Sequence, residues 1–397
     1  MKEEEASTAG DTRARRPPRA RPRSARAGPG GSSPNNARAV ALRALERGGF
    51  AAEGLDRELR AVSLGRADKA FATELAYGTL KMRRSLIWSL ARHLSRPFDG
   101  LDVRLQWVLL LGAYQLLCLD RVPAHSAVDE AVTLAGAGGN RGFAGLANAV
   151  LRKVANDRAR PPLPSPAGGA ESIALHASLP DWIAAHLVER FGFDLAVRAA
   201  DGMNAAPRRA LRFDGSSEER ERFVADVAAH AGEIGEGVYG IPECLIIARA
   251  GDGDLVRDAT STGRAVRQSE ESQLAVHLLD PKPGEIVLDA CCGRGMKTGM
   301  IAHRLGGSGA VWAIDDDERR IAALRAAAGS GRLGEVRVVR TDARVMYPAD
   351  VPSNFDAALV DAPCSGIGVL GRRPDARWRK GERDQARFAL VQAAVLR

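Results

Sequence analysis

Between residues 285 and 360 four short apolar runs alternate with helix-like spacings, and an aspartate stands at or just past the end of each run. The runs are 285–288, 310–314, 336–339 and 355–360, with helices predicted over 297–305 and 317–328. Such alternation predicts an α/β, Rossmann-like doubly wound sheet, because parallel neighbours need a crossover long enough to hold a helix. Ligands of these sheets bind beyond the carboxyl ends of the strands. The side chains placed there are Asp289, Asp315, Asp342 and Asp361.

The first turn reads Asp289-Ala-Cys-Cys-Gly-Arg-Gly-Met-Lys-Thr298. Gly293 and Gly295 let the backbone approach a ligand and turn into a helix. The dinucleotide fingerprint is not met, since Thr298 occupies the third glycine position. Three carboxylates at consecutive strand ends (Asp289, Asp315 and Asp342) suit ribose hydroxyls and an adenine amino group without phosphates. They favour S-adenosyl-L-methionine over NAD. After the fourth run come Asp361-Ala-Pro-Cys-Ser-Gly-Ile-Gly368 and Arg372-Arg-Pro-Asp-Ala-Arg-Trp378. A thiol (Cys364) and a carboxyl group (Asp361) facing a methyl donor suit pyrimidine C5 chemistry. Cytosine C5 becomes nucleophilic only after a thiolate adds at C6, and a carboxyl group at N3 or the amino group helps charge develop on the ring. Cys291 and Cys292 are adjacent, have no second pair to complete a zinc site, and read as pocket wall; no metal is expected.

Five cysteines at irregular spacing make no disulfide framework and suit a reducing, cytoplasmic setting. No apolar stretch approaches the ~20 residues of a membrane helix, so no membrane association is expected. The net charge of +8 hints at a polyanionic partner. Residues 1–37 are arginine-rich without apolar periodicity and are expected to be a disordered basic tail. Residues 38–157 read as an all-α bundle. Asn35 or Asn36 caps its first helix, Gly48-Gly49 ends that helix, separate helices are expected around 71–80 and 86–94, and a central helix apolar nearly all round spans 101–119. Residues 158–170 are proline-rich and read as a stiff linker. Residues 171–264 mix helical spacing with short apolar runs at 210–213 and 245–248, a small α+β unit. Residues 265–397 hold the parallel sheet.

Arg121-Val-Pro-Ala-His-Ser-Ala-Val-Asp-Glu-Ala-Val132 with Leu146-Ala-Asn-Ala-Val-Leu-Arg-Lys153 resembles the helical RNA-binding domain of the antitermination factor NusB. The same domain opens the RsmB/Sun ribosomal RNA methyltransferases, and the segments around Asp289 and Cys364 resemble that family's two signature motifs. The middle unit resembles its small RNA-binding subdomain, although Phe213-Asp214 replaces the usual Val-Asn.

The resemblance implies S-adenosylmethionine-dependent formation of 5-methylcytosine in small-subunit (16S) ribosomal RNA through a covalent Cys–C6 adduct. It carries cofactor binding to Asp289, Cys291, Cys292, Gly293, Arg294, Gly295, Met296, Lys297, Asp315, Asp342 and Asp361, and catalysis to Asp361 and Cys364. Arg152, Lys153, Arg372 and Arg373 are expected RNA contacts, and a monomer is expected. Cys292-Gly-Arg-Gly-Met296 departs from the commoner Ala-Ala-Pro-Gly-Gly, and Ser269 stands where the family commonly has Asp. In the family the Pro-Cys thiol assists product release, and the nucleophile comes from a Thr-Cys pair after a fifth strand. No such pair occurs in the sequence. The expectation is therefore a C-terminally truncated chain lacking its nucleophile. The alternative is an RNA-binding protein with a catalytically inactive methyltransferase domain.

Overall fold

The computed structural model describes residues 36–397 apart from Phe50, 158–162, Ala231, 251–253, 330–332 and Met346. Residues 1–35 of the basic tail and the start of the proline-rich linker lie outside the described residues, whereas Asn36 and Ala37, expected in the tail, already cap and open the first helix. Among the described residues no helix is long and apolar enough to cross a membrane.

The N-terminal unit packs α1 (Ala37–Arg47), α2 (Ala51–Arg60), α3 (Arg66–Ala91), α4 (Val103–Cys118), α5 (Ala124–Gly136) and α6 (Arg141–Asn156) around one core. Asn36 caps α1 by accepting from Ala39 N at 2.8 Å, and Gly48 ends it. Ten consecutive-turn positions of α4, from Leu105 to Leu116, are buried, as a central helix requires. The two helices expected around 71–80 and 86–94 are one helix, α3. No proline interrupts that stretch, and Gly78 within it is the point where Tyr114 of α4 packs: a Cβ there would sit 2.0 Å from the phenol ring.

The next helices, α7 (Gly169–His176), α8 (Asp181–Phe191) and α9 (Phe193–Asn204), begin inside the segment expected as linker. Their core of Ile173, Leu179, Ile183, Leu187 and Ala200 is completed by Leu370, from far along the chain. An antiparallel sheet follows, ordered β2-β3-β1-β4, from β1 (Arg209–Phe213), β2 (Gly232–Glu236), β3 (Cys244–Ala250) and β4 (Ala265–Val266). The helices α10 (Ser217–Ala229) and α11 (Asp254–Ser261) cover it. The strand β4 lies past the boundary expected at 264, because Val266 and Ala265 pair with Arg212 and Phe213 of β1.

The C-terminal unit contains α12 (Glu270–Leu279), β5 (Ile286–Asp289), α13 (Met296–Leu305), β6 (Ala310–Asp315), α14 (Glu318–Gly329), β7 (Val336–Arg340), β8 (Ala357–Leu359), α15 (Ala376–Arg379) and α16 (Glu382–Val395). Its sheet is parallel, ordered β7-β6-β5-β8. Val287 and Val311 meet Met300 and Ile301 of α13 on one face. Leu288, Trp312 and Ile314 meet Val351 on the other. The strand order reverses between β5 and β8, so the crevice opens at their carboxyl ends, beside the end of β6.

Candidate active site

The crevice is built by hydrogen bonds between neighbouring strand ends. Gly293 N donates to Asp315 Oδ2 at 2.9 Å, and Asp317 N donates to Oδ1 of the same carboxylate at 2.9 Å. Cys292 N donates to Ile314 O at 2.9 Å. The loop after β5 is therefore stitched to the end of β6. Gly293 and Gly295 take φ of 55° and 79°, a region that side chains rarely enter. A Cβ on Gly295 would also meet Leu324 of α14 at 2.4 Å. These glycines let the chain turn from β5 into the first turn of α13.

Asp289, at the end of β5, is 1% exposed. Its Oδ2 accepts from the Thr298 hydroxyl at 2.7 Å, while Oδ1 closes no hydrogen bond among the described residues. Burial pushes its carboxyl up to about 6. The Thr298 hydroxyl, the Lys297 ammonium and the nearby Cys291 N–H pull it down, and the charge of Asp361 pushes it further up. Lys297, one residue before Thr298 on α13, is ion-paired with Asp361 beyond β8. Asp289, Lys297, Asp315 and Asp361 thus gather around the carboxyl ends of β5, β6 and β8.

The two cysteines of the turn are not activated. Burial first, then the surrounding carboxylates, pushes the Cys291 thiol up to about 11 and the Cys292 thiol higher still. Cys364 is the exposed thiol among the five cysteines, in the loop beyond Asp361. Gln392 of α16 anchors that loop by donating to Pro363 O at 3.0 Å. Met296 is 38% exposed and Arg294 is exposed, so both face outward from the turn.

The other expected residues are placed differently. Asp342, past β7, is engaged by Arg344 through both the backbone N–H and the guanidinium, at 2.6–2.9 Å; that contact holds its carboxyl below the usual range. Arg372 pairs with Glu271 of α12 at 3.2 Å, and Arg373 is exposed beside it. Arg152 and Lys153 are exposed on α6, in the helical unit, where Arg152 Nε donates to Asn148 one turn back.

Two buried guanidinia escape a reading of the sequence. Arg212 of β1, 3% exposed, binds Asp214 through two bonds at 2.5 and 2.7 Å. It also donates to Gln268 Oε1 at 2.6 Å and to Met296 O at 2.8 Å, fixing the start of α13. Arg377, with no exposure, donates to the main-chain oxygens of Lys81, Ala177, Ser178 and Met203. The signal for Arg212 was a charged residue among apolar neighbours, while Arg377 stood in the 372–378 motif with no role assigned to it.

Two family models match the chain: 16S rRNA methyltransferase RsmB/F over residues 276–397, and the NusB family over residues 35–156. The chain is 29% identical over 352 residues to the probable ribosomal RNA small subunit methyltransferase B of Bacillus subtilis (strain 168), covering 85% of this chain and 75% of that protein. It is 31% identical over 336 residues to the ribosomal RNA small subunit methyltransferase B of Serratia proteamaculans (strain 568), covering 83% and 74%. A putative methyltransferase of Mycobacterium tuberculosis (strain ATCC 25618 / H37Rv) is 34% identical over 355 residues, covering 84% and 72%. Among solved structures, the crystal structure of PH0851 superposes with a TM-score of 0.69 at 21% identity, over 92% of this chain and 82% of that one, and so shares the fold.

Proposed function

The chain belongs to the RsmB family of small-subunit ribosomal RNA methyltransferases, and on that premise we propose that it serves S-adenosylmethionine-dependent methylation of cytosine C5 in that RNA. The observation that carries the cofactor assignment is the half-satisfied carboxylate of Asp289. A buried acceptor without a donor is costly, and a cationic ammonium group is the ligand chemistry that satisfies it. Asp289 would hold the ammonium end of the cofactor, and Asp315, already oriented by Gly293 and Asp317, would hold the ribose hydroxyls. Asp342 would take the adenine amino group once it gives up part of its contact with Arg344. The cofactor supplies an electrophilic methyl group on a sulfonium centre.

The remaining chemistry belongs to the chain and the base. A thiolate adds to cytosine C6, which turns C5 into an enamine-like carbon. Asp361, held by Lys297, hydrogen-bonds N3 or the amino group as charge develops on the ring. C5 would take the methyl group, and a base would then remove the C5 proton as the C6–S bond breaks and the thiolate leaves. Cys364 is assigned to that last stage, product release, and no residue of 1–397 is assigned as the adduct-forming thiolate. The helical unit and the β1–β4 sheet are assigned to RNA binding.

Calorimetry tests the cofactor. The chain is expected to bind S-adenosylmethionine and not NAD, and Asp315→Ala is expected to lose that binding; NAD binding alone would sink the assignment. Ribosomal RNA incubated with the chain and the cofactor, then digested to nucleosides, tests the rest. No methylated product is expected from residues 1–397. A 5-methylcytidine signal that disappears with Cys364→Ser would make Cys364 the nucleophile. Methylation anywhere but C5 would refute the C5 reading.

A further inference from the structure

The turn between β2 and β3 is fixed on every side except its tip. Tyr239 N donates to Glu270 Oε1 at 2.9 Å, and Glu270 is 4% exposed. A Cβ on Gly237 would lie 2.1 Å from the same oxygen, so the turn closes on that carboxylate only with glycine there. Two residues on, Ile241 is buried against the parallel sheet. Glu243 then takes two bonds from Arg304 of α13, at 2.7 and 2.9 Å. The turn is therefore a rigid part of the methyltransferase unit. Yet its tip puts Val238 (64% exposed) and Tyr239 (48% exposed) into water.

Two arginines flank the tip, each against a carboxylate of α12. Arg208 lies 3.9 Å from the other oxygen of Glu270. Glu271, the next residue of α12, pairs with Arg372 at 3.2 Å. The first turn of α12 thus anchors an exposed aromatic and two arginines in one patch. Arg372 belongs to the same loop as Asp361 and Cys364, so the patch borders the crevice.

We propose that this patch is a platform for single-stranded RNA, on which a base flanking the target nucleotide stacks against Tyr239 while Arg208 and Arg372 hold the adjoining phosphates. A base must leave its helix before C5 can be reached. An unstacked neighbour then needs an apolar surface, which an aromatic ring on a backbone fixed in advance supplies at a reduced ordering cost. A duplex hides its base faces and gains nothing from the ring. The inference rests on the reading of the chain as an RNA methyltransferase and assigns part of its substrate groove.

The test uses the full chain and a fluorescein-labelled single-stranded oligoribonucleotide, with its duplex as control, followed by anisotropy. Tyr239→Ala is expected to weaken single-strand binding about tenfold or more, with duplex binding and S-adenosylmethionine calorimetry unchanged. Tyr239→Phe is expected to bind as the parent does. Arg208→Ala should lower the slope of log affinity against log salt by about 0.7. Single-strand affinity that survives Tyr239→Ala overturns the platform and leaves the methyltransferase reading standing. A parent chain that binds no single strand at any salt overturns both.

Discussion

At the scale of residues, a site for a cationic ligand is paid for in stability, and Asp289 shows how much. Its carboxyl moves from an ordinary 3.8 to about 6 on folding. Between those values the folded chain holds a proton that the unfolded chain has released, so stability falls as pH rises from about 4 to about 6, and then levels. The loss is about 3 kcal/mol. Asp289→Asn removes the buried charge but places an amide donor where Oδ1 stood, which returns part of the gain. The variant is expected to be about 1–3 kcal/mol more stable than the parent in urea melts at pH 8, with a much smaller difference at pH 4, and to have lost cofactor binding. An equal effect at both pH values would show that the charge is not what Asp289 costs. The aspartates of this site were legible in the sequence because strand ends can be read from apolar runs, and ligands sit at strand ends. Arg212 and Tyr239 were not, since their meaning lies in Met296, Gln268 and Glu270, partners that only the fold brings to them.

At the scale of elements, helix-on-helix packing decides what a glycine means. Gly78 lies under Tyr114, whose hydroxyl donates to Glu74 Oε1 at 2.5 Å. Gly145 lies on α6 with nothing within 4 Å of where a Cβ would stand. Alanine improves helix propensity by about 1 kcal/mol at either place, but at Gly78 it must displace a bonded ring, and overpacking costs about 1–3 kcal/mol. Gly145→Ala should therefore raise the melting temperature and Gly78→Ala should lower it; a rise in both would mean that α3 and α4 can separate at no cost. Two apolar sets, over 71–80 and 86–94, suggested two helices where there is one. Periodicity locates an apolar face, but it does not show whether a glycine inside a helix ends it or receives a neighbour. It also missed α2, α7, α9, α11, α12, β2 and β4; β2 and β4 are too short or too poor in large apolar residues to set a period.

At the scale of the whole molecule, the helical unit and the methyltransferase unit meet at Arg377 and Trp378. Trp378 Nε1 donates to Leu80 O at 2.8 Å, and the Arg83 guanidinium lies 5.6 Å from the Trp378 ring and 5.6 Å from that of Trp107. Arg377 meets no carboxylate; burial draws its pKa down to about 10. Its charge rests on carbonyls from α3, α9 and the α7–α8 connection. There Ser178 takes a left-handed φ of 54° and accepts from Arg84 N at 2.9 Å. Four backbone acceptors from three elements converge on one side chain that stands 13 residues past Cys364. The joint therefore also sets where the loop carrying Asp361 and Cys364 lies relative to the N-terminal helical unit. Arg377→Met keeps much of the side-chain volume and leaves those carbonyls buried without a donor, at about 1–3 kcal/mol for each that finds no water. The parent is expected to unfold with the helical and α/β units coupled in calorimetry. In Arg377→Met the two should melt as separate transitions, the first at lower temperature. Arg377→Lys, which retains the charge but not the planar fork, should fall between them. A variant that melts as the parent does would mean that apolar contacts such as Leu370 against Ile183 hold the units together, and that Arg377 only fills the space between them.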